Sequence, residues 1–280
     1  MLIKSRRNII GTIISLALLL SACGVGSSND ISSRASAISA ALGGDQRTEA
    51  DRARDQYRHP VETLDFFGID ADMTVVEIFP GGGWYTEILA PYLKDKGIFY
   101  TAGTDPESES SYSRKAAQRF KLKMTSHDAY SRVNISVLAP PDKIAIAPKG
   151  SADAVLTFRN IHNWMKAGTA DDVFNAMYTA LKPGGILGVV EHRGNPMIPQ
   201  DPQAGNGYVN EDYAIQLAEK AGFVYVGRSE INANARDTKD YPKGVWTLPP
   251  TLALKEVDRD KYLAIGESDR FTLKFIKPLR

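Results

Sequence analysis

Apolar and polar positions follow two rhythms along this chain. The run TVVEIF at 74–79 has no polar alternation apart from Glu77. That predicts a strand covered on both faces, as in a parallel sheet. TEILAPYL follows at helical spacing and is expected to end near Gly97, despite Pro91 inside it. IFYTAG predicts a second strand and SYSRKAAQRFKLK a helix with a basic face, while RVNISVL and ADAVLTFRN predict the third and fourth strands. DDVFNAMYTALKPGG predicts a helix closed by Pro183, Gly184 and Gly185, before a fifth strand, ILGVVEHR. EDYAIQLAEKAGF predicts a helix ending at Gly222, and VYVGRSEI with RFTLKFIKP a closing antiparallel pair. This alternation predicts an α/β fold, a doubly wound and mostly parallel sheet with right-handed crossovers.

Two stretches interrupt the alternation. DQRTEADRARDQYRHPVETLDFFGI predicts a helical lead-in broken by Pro60, with Arg52, Arg54 and Arg58 interleaved with Asp51 and Asp55 as on a solvated face. Residues 232–269, between the last two strands, form an insert of a length that goes with function or disorder. Its RDTKDYP segment is a candidate lid, with a solvated charged loop as the plainer reading, and Trp246 and Leu248 argue for packing.

The N-terminus has a different character. Lys4, Arg6 and Arg7 precede an uncharged apolar run at 9–20, shorter than the about 20 residues of a comfortable membrane span. It closes on Leu20-Ser21-Ala22-Cys23, which resembles the bacterial lipoprotein box, whose cysteine is acylated and becomes the new N-terminus. The resemblance implies a signal peptide at 1–22 and a membrane anchor through a lipid on Cys23. Gly24 stands where inner-membrane retention favours Asp, which implies the outer membrane, facing the periplasm. A plain signal peptide with an incidental cysteine is the competing reading. Cys23 is the only cysteine, so an internal disulfide and a thiol metal site are excluded. Residues 23–45 are then the acylated cysteine and a polar tether, and 46–280 a single domain. The formal net charge of +1 makes no case for nucleic acid.

The chemistry concentrates at strand exits. In open α/β sheets, ligands bind at the carboxyl ends of the strands. A glycine turn there lets the backbone approach a ligand, and the following helix offers free N–H groups. Phe79, Pro80, Gly81, Gly82, Gly83, Trp84 and Tyr85 are therefore expected to touch a small molecule, with a tight turn of purely packing duty as the alternative. The dinucleotide fingerprint fails, because Thr86 stands where the last glycine belongs, and no Lys-Ser/Thr follows to make a P-loop.

VVEIFPGGGWYTEILAPYL is similar to the first motif of class I S-adenosylmethionine-dependent methyltransferases. Glu77 takes the place of the motif's acid, and Gly81 and Gly83 those of its second and third glycines. LKPGGILGVVEHR and KAGFVYVGRSEI resemble the family's segments at the fifth and sixth strands. Among its members, the match is to bacterial predicted methyltransferases with a Pro-Gly-Gly-Gly-Trp-Tyr first motif. The resemblance spans most of 74–278 and implies a seven-stranded Rossmann-like sheet with an antiparallel last strand. It also implies S-adenosylmethionine as cofactor and methyl transfer to a small molecule or envelope component. The sequence departs from the family at three points. Phe79 replaces the first glycine. The acid that holds the ribose falls on Gly103, leaving Asp105 as the candidate substitute. The adenine acid has only Asp142 as a counterpart.

FRNIHNW at the fourth strand's exit and EHR at the fifth's open on the same sheet edge. Arg159 and Asn160 are candidates for the cofactor site. Methyl transfer needs alignment, and a base where the nucleophile carries a proton. His162 and His192 are the candidates for that base, with Glu191 as orienter; hydrogen-bonded structural histidines are the alternative. The four histidines show no ligand spacing and there is no H-E-x-x-H, so no metal is expected. No Gly-x-Ser-x-Gly elbow supports a hydrolase. A second function class stays open, a non-catalytic ligand-binding lipoprotein that reuses the fold, because a charged cofactor made in the cytoplasm does not cross a membrane freely. A ligand-free envelope scaffold is a weaker third reading.

Overall fold

The computed structural model describes residues 28–280, with side chains from residue 33. The expected signal peptide at 1–22 and Cys23 lie outside the described residues. Helix α1 is Ser28–Leu42, followed by three short helices, α2 Glu49–Arg52, α3 Asp55–Arg58 and α4 Pro60–Phe67. The alternating part comprises β1 Thr74–Ile78, α5 Thr86–Leu93, β2 Ile98–Gly103, α6 Ser111–Met124, β3 Val133–Val137, β4 Ala152–Phe158, α7 Ile161–Ala167, α8 Ala170–Ala180 and β5 Leu181–His192. It ends with α9 Glu211–Lys220, β6 Val224–Ser229, α10 Arg259–Ile265 and β7 Arg270–Ile276.

The seven strands form one sheet in the order β3-β2-β1-β4-β5-β7-β6. All neighbours are parallel except β7, which runs antiparallel to β5 and β6. Successive side chains of a strand point to opposite faces, and both faces are covered. Val75, Ala154 and Leu156 pack with Ile38 of α1, Phe67 of α4, Leu89 of α5 and Phe120 of α6. Val76 and Val155 pack on the other side with Trp164 of α7, Phe174 and Met177 of α8, and Leu217 of α9. This burial on both sides explains the nearly continuous apolar strands.

Two boundaries differ from the sequence reading. The tether predicted over 23–45 is helical from Ser28, and the helix is docked: Ile38 is fully buried, and Arg34 donates to Asp70 through Nε at 2.7 Å and Nη2 at 3.2 Å. Its serine- and alanine-rich composition conceals the helical spacing of Ile31, Ile38 and Leu42. Second, Pro183, Gly184 and Gly185 lie within β5 rather than closing the preceding helix. The pairing with β4 jumps from Ala152–Leu181 to Ala154–Ile186, so the segment is a bulge that resets the strand's register.

Topology decides where the insert goes. β6 runs with the parallel strands and ends at their carboxyl edge, and β7 starts there. His192, the last residue of β5, therefore pairs with Arg270, the first of β7. Residues 232–269 leave from and return to the edge where ligands bind in such sheets.

Candidate active site

A cavity of about 350 Å³ opens at that edge, beside the point where strand order reverses between β1 and β4. Its floor is Glu77 of β1 and the turn from Phe79 to Gly82. Arg159, Asn160 and His162 from the β4 exit and His192 from β5 form one wall. Asp51, Arg54 and Arg58 from the lead-in, Arg270 of β7, and Val245, Trp246 and Pro249 to Thr251 of the insert complete it.

The turn after β1 is tight. Gly83 N–H donates to Pro80 C=O at 2.8 Å, and Phe79 N–H to Ala102 C=O at 2.8 Å. Phe79 keeps a left-handed backbone, φ 45°, at the position where the resembling family has glycine, and its ring lies 6.3 Å from that of Trp164. A non-glycine residue held there costs about 1–3 kcal/mol of strain, which clusters at functional sites. A Cβ on Gly81 or Gly82 would meet nothing within 4 Å, so the turn faces open space. Gly83 does not. Its Cβ would face Phe120 at 3.4 Å and the Lys123 side chain, behind the turn, so it serves packing rather than contact with a ligand.

Glu77 is 2 % exposed, and the Thr86 hydroxyl donates to it at 2.6 Å. Burial pushes its carboxyl up to about 7, against the Thr86 hydrogen bond and Lys123, which favour the ionised form. Trp84 and Tyr85 line the cavity but are mainly structural. Tyr85 stacks on Phe158 at 3.5 Å, Trp84 N–H donates to Asp51 C=O, and the Arg58 guanidinium lies 4.6 Å over the Trp84 ring. Asn160 donates to Ile78 C=O at 3.0 Å and to the Thr157 hydroxyl at 3.2 Å, which ties the β4 exit to β1.

Glu191 is fully buried and organises the histidines. It accepts from the backbone N–H groups of Ile161 at 2.6 Å, His162 at 3.4 Å and His192 at 2.8 Å, and from His162 Nδ1 at 3.1 Å. A carboxylate surrounded by donors receives Nδ1–H, which leaves His162 Nε2 with its lone pair. Glu191 does not line the cavity; it fixes α7 and the ring. His192 Nδ1 lies 2.5 Å from the Ser268 hydroxyl, and the two imidazoles are 5.5 Å apart. Burial, then His162 and Arg270, pushes His192 well below the ordinary imidazole value, so it is neutral near pH 7. Sequence spacing shows no metal signature, yet the fold brings ligand-capable atoms of His162, Glu191 and His192 within 4.8 Å of one another. The oxygens of Glu191 are already occupied by N–H groups, so in this arrangement it orients rather than coordinates.

Asp105 is not brought to the site. It pairs with Lys143 at 2.7 Å and lies outside the cavity, and Asp142 is exposed. The lid is also not where RDTKDYP placed it. Asp237 is buried, accepting from Tyr208 O–H at 3.0 Å and Asp269 N–H at 2.8 Å, and the cavity is covered by Val245 to Thr251. Sequence reasoning singled out Arg159 for the cofactor site but missed the other arginines of the cavity, Arg54, Arg58 and Arg270. Arg54 and Arg58 do not form a solvated face; they reach Glu267, as does Arg270. Their spacing of four residues was the available signal. Burial opposes ionisation of Glu267, but Arg270, Arg58 and Arg54 outweigh it and hold its carboxyl well below the usual range. Arg159 has a left-handed backbone, φ 63°, with its N–H donating to Val190 C=O at 2.7 Å. Burial, then Arg270, lowers its guanidinium to about 10, still charged at neutral pH.

No protein-family model matches the chain, and no curated protein matches it. Solved structures do. The (4+2) cyclase SpnF matches with 18 % identity over 85 % of this chain and 86 % of its own, at a TM-score of 0.55. Geranyl diphosphate C-methyltransferase from Streptomyces coelicolor A3(2), solved with magnesium, geranyl diphosphate and S-adenosylhomocysteine, matches with 14 % identity over 85 % of this chain and 87 % of its own, at a TM-score of 0.51. A geranyl diphosphate methyltransferase in complex with S-adenosylmethionine matches with 14 % identity over 85 % and 94 %, also at 0.51. Together with the strand order and the antiparallel β7, these similarities show that the chain has the seven-stranded Rossmann-like methyltransferase fold.

Proposed function

We propose that this protein is an S-adenosylmethionine-dependent methyltransferase whose acceptor, a small molecule or envelope component, binds in the cavity at the edge of β1, β4 and β5. The observation that carries this reading is that an open glycine turn over Glu77 and a Glu191-oriented His162 share one cavity.

The residues present fit the amino-acid end of the cofactor. Gly81 and Gly82 leave space for close backbone approach, and Glu77, near half-ionised at neutral pH, suits an ammonium group. At the ribose end, Asp105 stays paired with Lys143 outside the cavity. When bound, the cofactor supplies a methyl group already activated by its sulfonium. The protein's remaining task is to align the acceptor and take its proton. His162 Nε2 is the base, Glu191 positions it, and neutral His192 beside it offers a second hydrogen-bonding partner for the acceptor. Trp246 closes the site over His162, their rings 6.0 Å apart.

The experiment is calorimetric titration of the protein with S-adenosylmethionine and S-adenosylhomocysteine. Micromolar binding of both is expected. A folded sample that binds neither at millimolar concentration overturns the reading. The same proposal assigns the activity to an envelope lipoprotein anchored at Cys23, in the bacterial predicted methyltransferase group with the Pro-Gly-Gly-Gly-Trp-Tyr motif; the resemblance of Leu20-Ser21-Ala22-Cys23 to a lipobox supports it.

A further inference from the structure

Four guanidinium groups line one small cavity, and they come from three separate parts of the chain. Arg54 and Arg58 lie on the lead-in, Arg159 at the β4 exit and Arg270 at the start of β7. Glu267 alone balances three of them. It receives Arg54 Nε at 2.6 Å and Arg58 Nε at 3.2 Å, and pairs with Arg270 Nη2. Arg159 feels Glu267 only at longer range, because no described residue accepts a hydrogen bond from its guanidinium. Among the other acids of the wall, Asp51 takes the Thr48 hydroxyl and Glu77 is only part-ionised near neutrality. The cavity therefore carries an excess of positive charge.

The donors are also unsatisfied. Arg58 is 3 % exposed and its Nη1 has no hydrogen-bond partner; Arg270 is 2 % exposed and its Nε has none. A buried donor left unpaired is destabilising, and more so when charged. Native proteins keep few such groups, and each calls for a cause. The left-handed backbone of Arg159 adds strain at the same wall. Guanidinium forks match carboxylate and phosphate oxygens in pairs.

We propose that the small-molecule ligand of this cavity carries a phosphate or carboxylate group that Arg58, Arg159 and Arg270 hold, with its reacting atom toward His162. This rests on the reading of the cavity as the methyl acceptor's site. The arginines are specificity-determining: they select an anionic acceptor and fix its distance from the histidines.

The test titrates the full-length protein and its Arg159→Gln variant with pyrophosphate, with malonate and with S-adenosylhomocysteine, at constant ionic strength. The unaltered protein is expected to bind pyrophosphate or malonate, and the tighter of the two identifies phosphate or carboxylate. Arg159→Gln should weaken that anion tenfold or more and leave S-adenosylhomocysteine within twofold. Arg159 is only half-buried and makes no side-chain bond, so the variant is expected to fold, and its thermal unfolding checks this. Absence of anion binding, or equal anion affinity in the variant, overturns the proposal. So does loss of S-adenosylhomocysteine affinity in the variant, since the arginines would then hold the cofactor's own carboxylate. If anion binding behaves as expected but S-adenosylhomocysteine does not bind the unaltered protein, the anion site stands and the cofactor reading falls.

Discussion

The binding role proposed for Glu77 comes at the expense of stability. Its carboxyl has a pKa of about 7 when folded, against 4.5 for the free side chain. The folded state thus holds this proton more tightly than the unfolded state. Its contribution is complete below pH 4.5 and is lost as pH rises toward 7. A difference of that size corresponds to about 3 kcal/mol by linkage. Glu77→Gln keeps an acceptor for the Thr86 hydroxyl but removes the titration. The variant should be more stable than the parent at pH 8, by about 2–3 kcal/mol, and nearly equal to it at pH 4.5. Urea unfolding across that range reads the difference, and parallel curves would refute the assignment. The same substitution should weaken S-adenosylhomocysteine, because an amide neutralises no ammonium. Such a trade of stability for function is common at active sites.

At the scale of elements, the antiparallel β7 has the widest consequences. A seventh parallel strand would have started at the opposite edge and carried Arg270 away from the cavity. Running backward, it sets Arg270 beside His192 and brings the insert over the site. The covering segment is held by close backbone contact. Val245 N–H donates to Asn206 C=O at 2.9 Å, and a Cβ on Gly244, φ 54°, would stand 2.1 Å from that same oxygen. Gly244→Ala must therefore displace the segment. We expect a stability loss of about 3 kcal/mol, from strain and overlap together, and new protease cleavage within 239–255. An unchanged cleavage pattern would show that the cover tolerates the shift. Much of the fold was legible in the chain, because the apolar runs and the turn glycines are local signals: the alternation, the glycine turn and the closing antiparallel pair could all be read. The histidine pair was legible too, since His192 ends β5 and His162 follows the end of β4, and a parallel sheet aligns those two exits. Of the arginines, only Arg159 was, and their meeting was not. Residues 54, 58, 159 and 270 meet only through topology, and Glu267 joins residues more than two hundred positions apart. Asp105 looked suitable by position, but Lys143 holds it elsewhere.

For the whole molecule, the docking of α1 changes what the proposed anchor at Cys23 can do. With a flexible tether to residue 45, the domain would range freely from the membrane. Instead, the chain is helical from Ser28, and α1 is fixed to α4 and the following turn by buried Ile38 and by the pairing of Arg34 with Asp65 and Asp70. Five peptide steps separate Cys23 from Ser28, at most about 18 Å when extended. Unfolding part of α1 to lengthen the reach would sacrifice that packing. An anchor at Cys23, as proposed, would therefore hold the domain close to the bilayer and favour acceptors at or near the membrane surface over those dispersed in the periplasm. Among the described residues no helix is long and apolar enough to cross a membrane. Cys23→Ser should move the protein from the membrane to the soluble fraction, or leave it as an uncleaved precursor, without changing the unfolding temperature of the purified domain. Fractionation with mass spectrometry of the N-terminus distinguishes these. Membrane-bound, acylated protein recovered from the variant would overturn both the anchor and the argument for a surface acceptor.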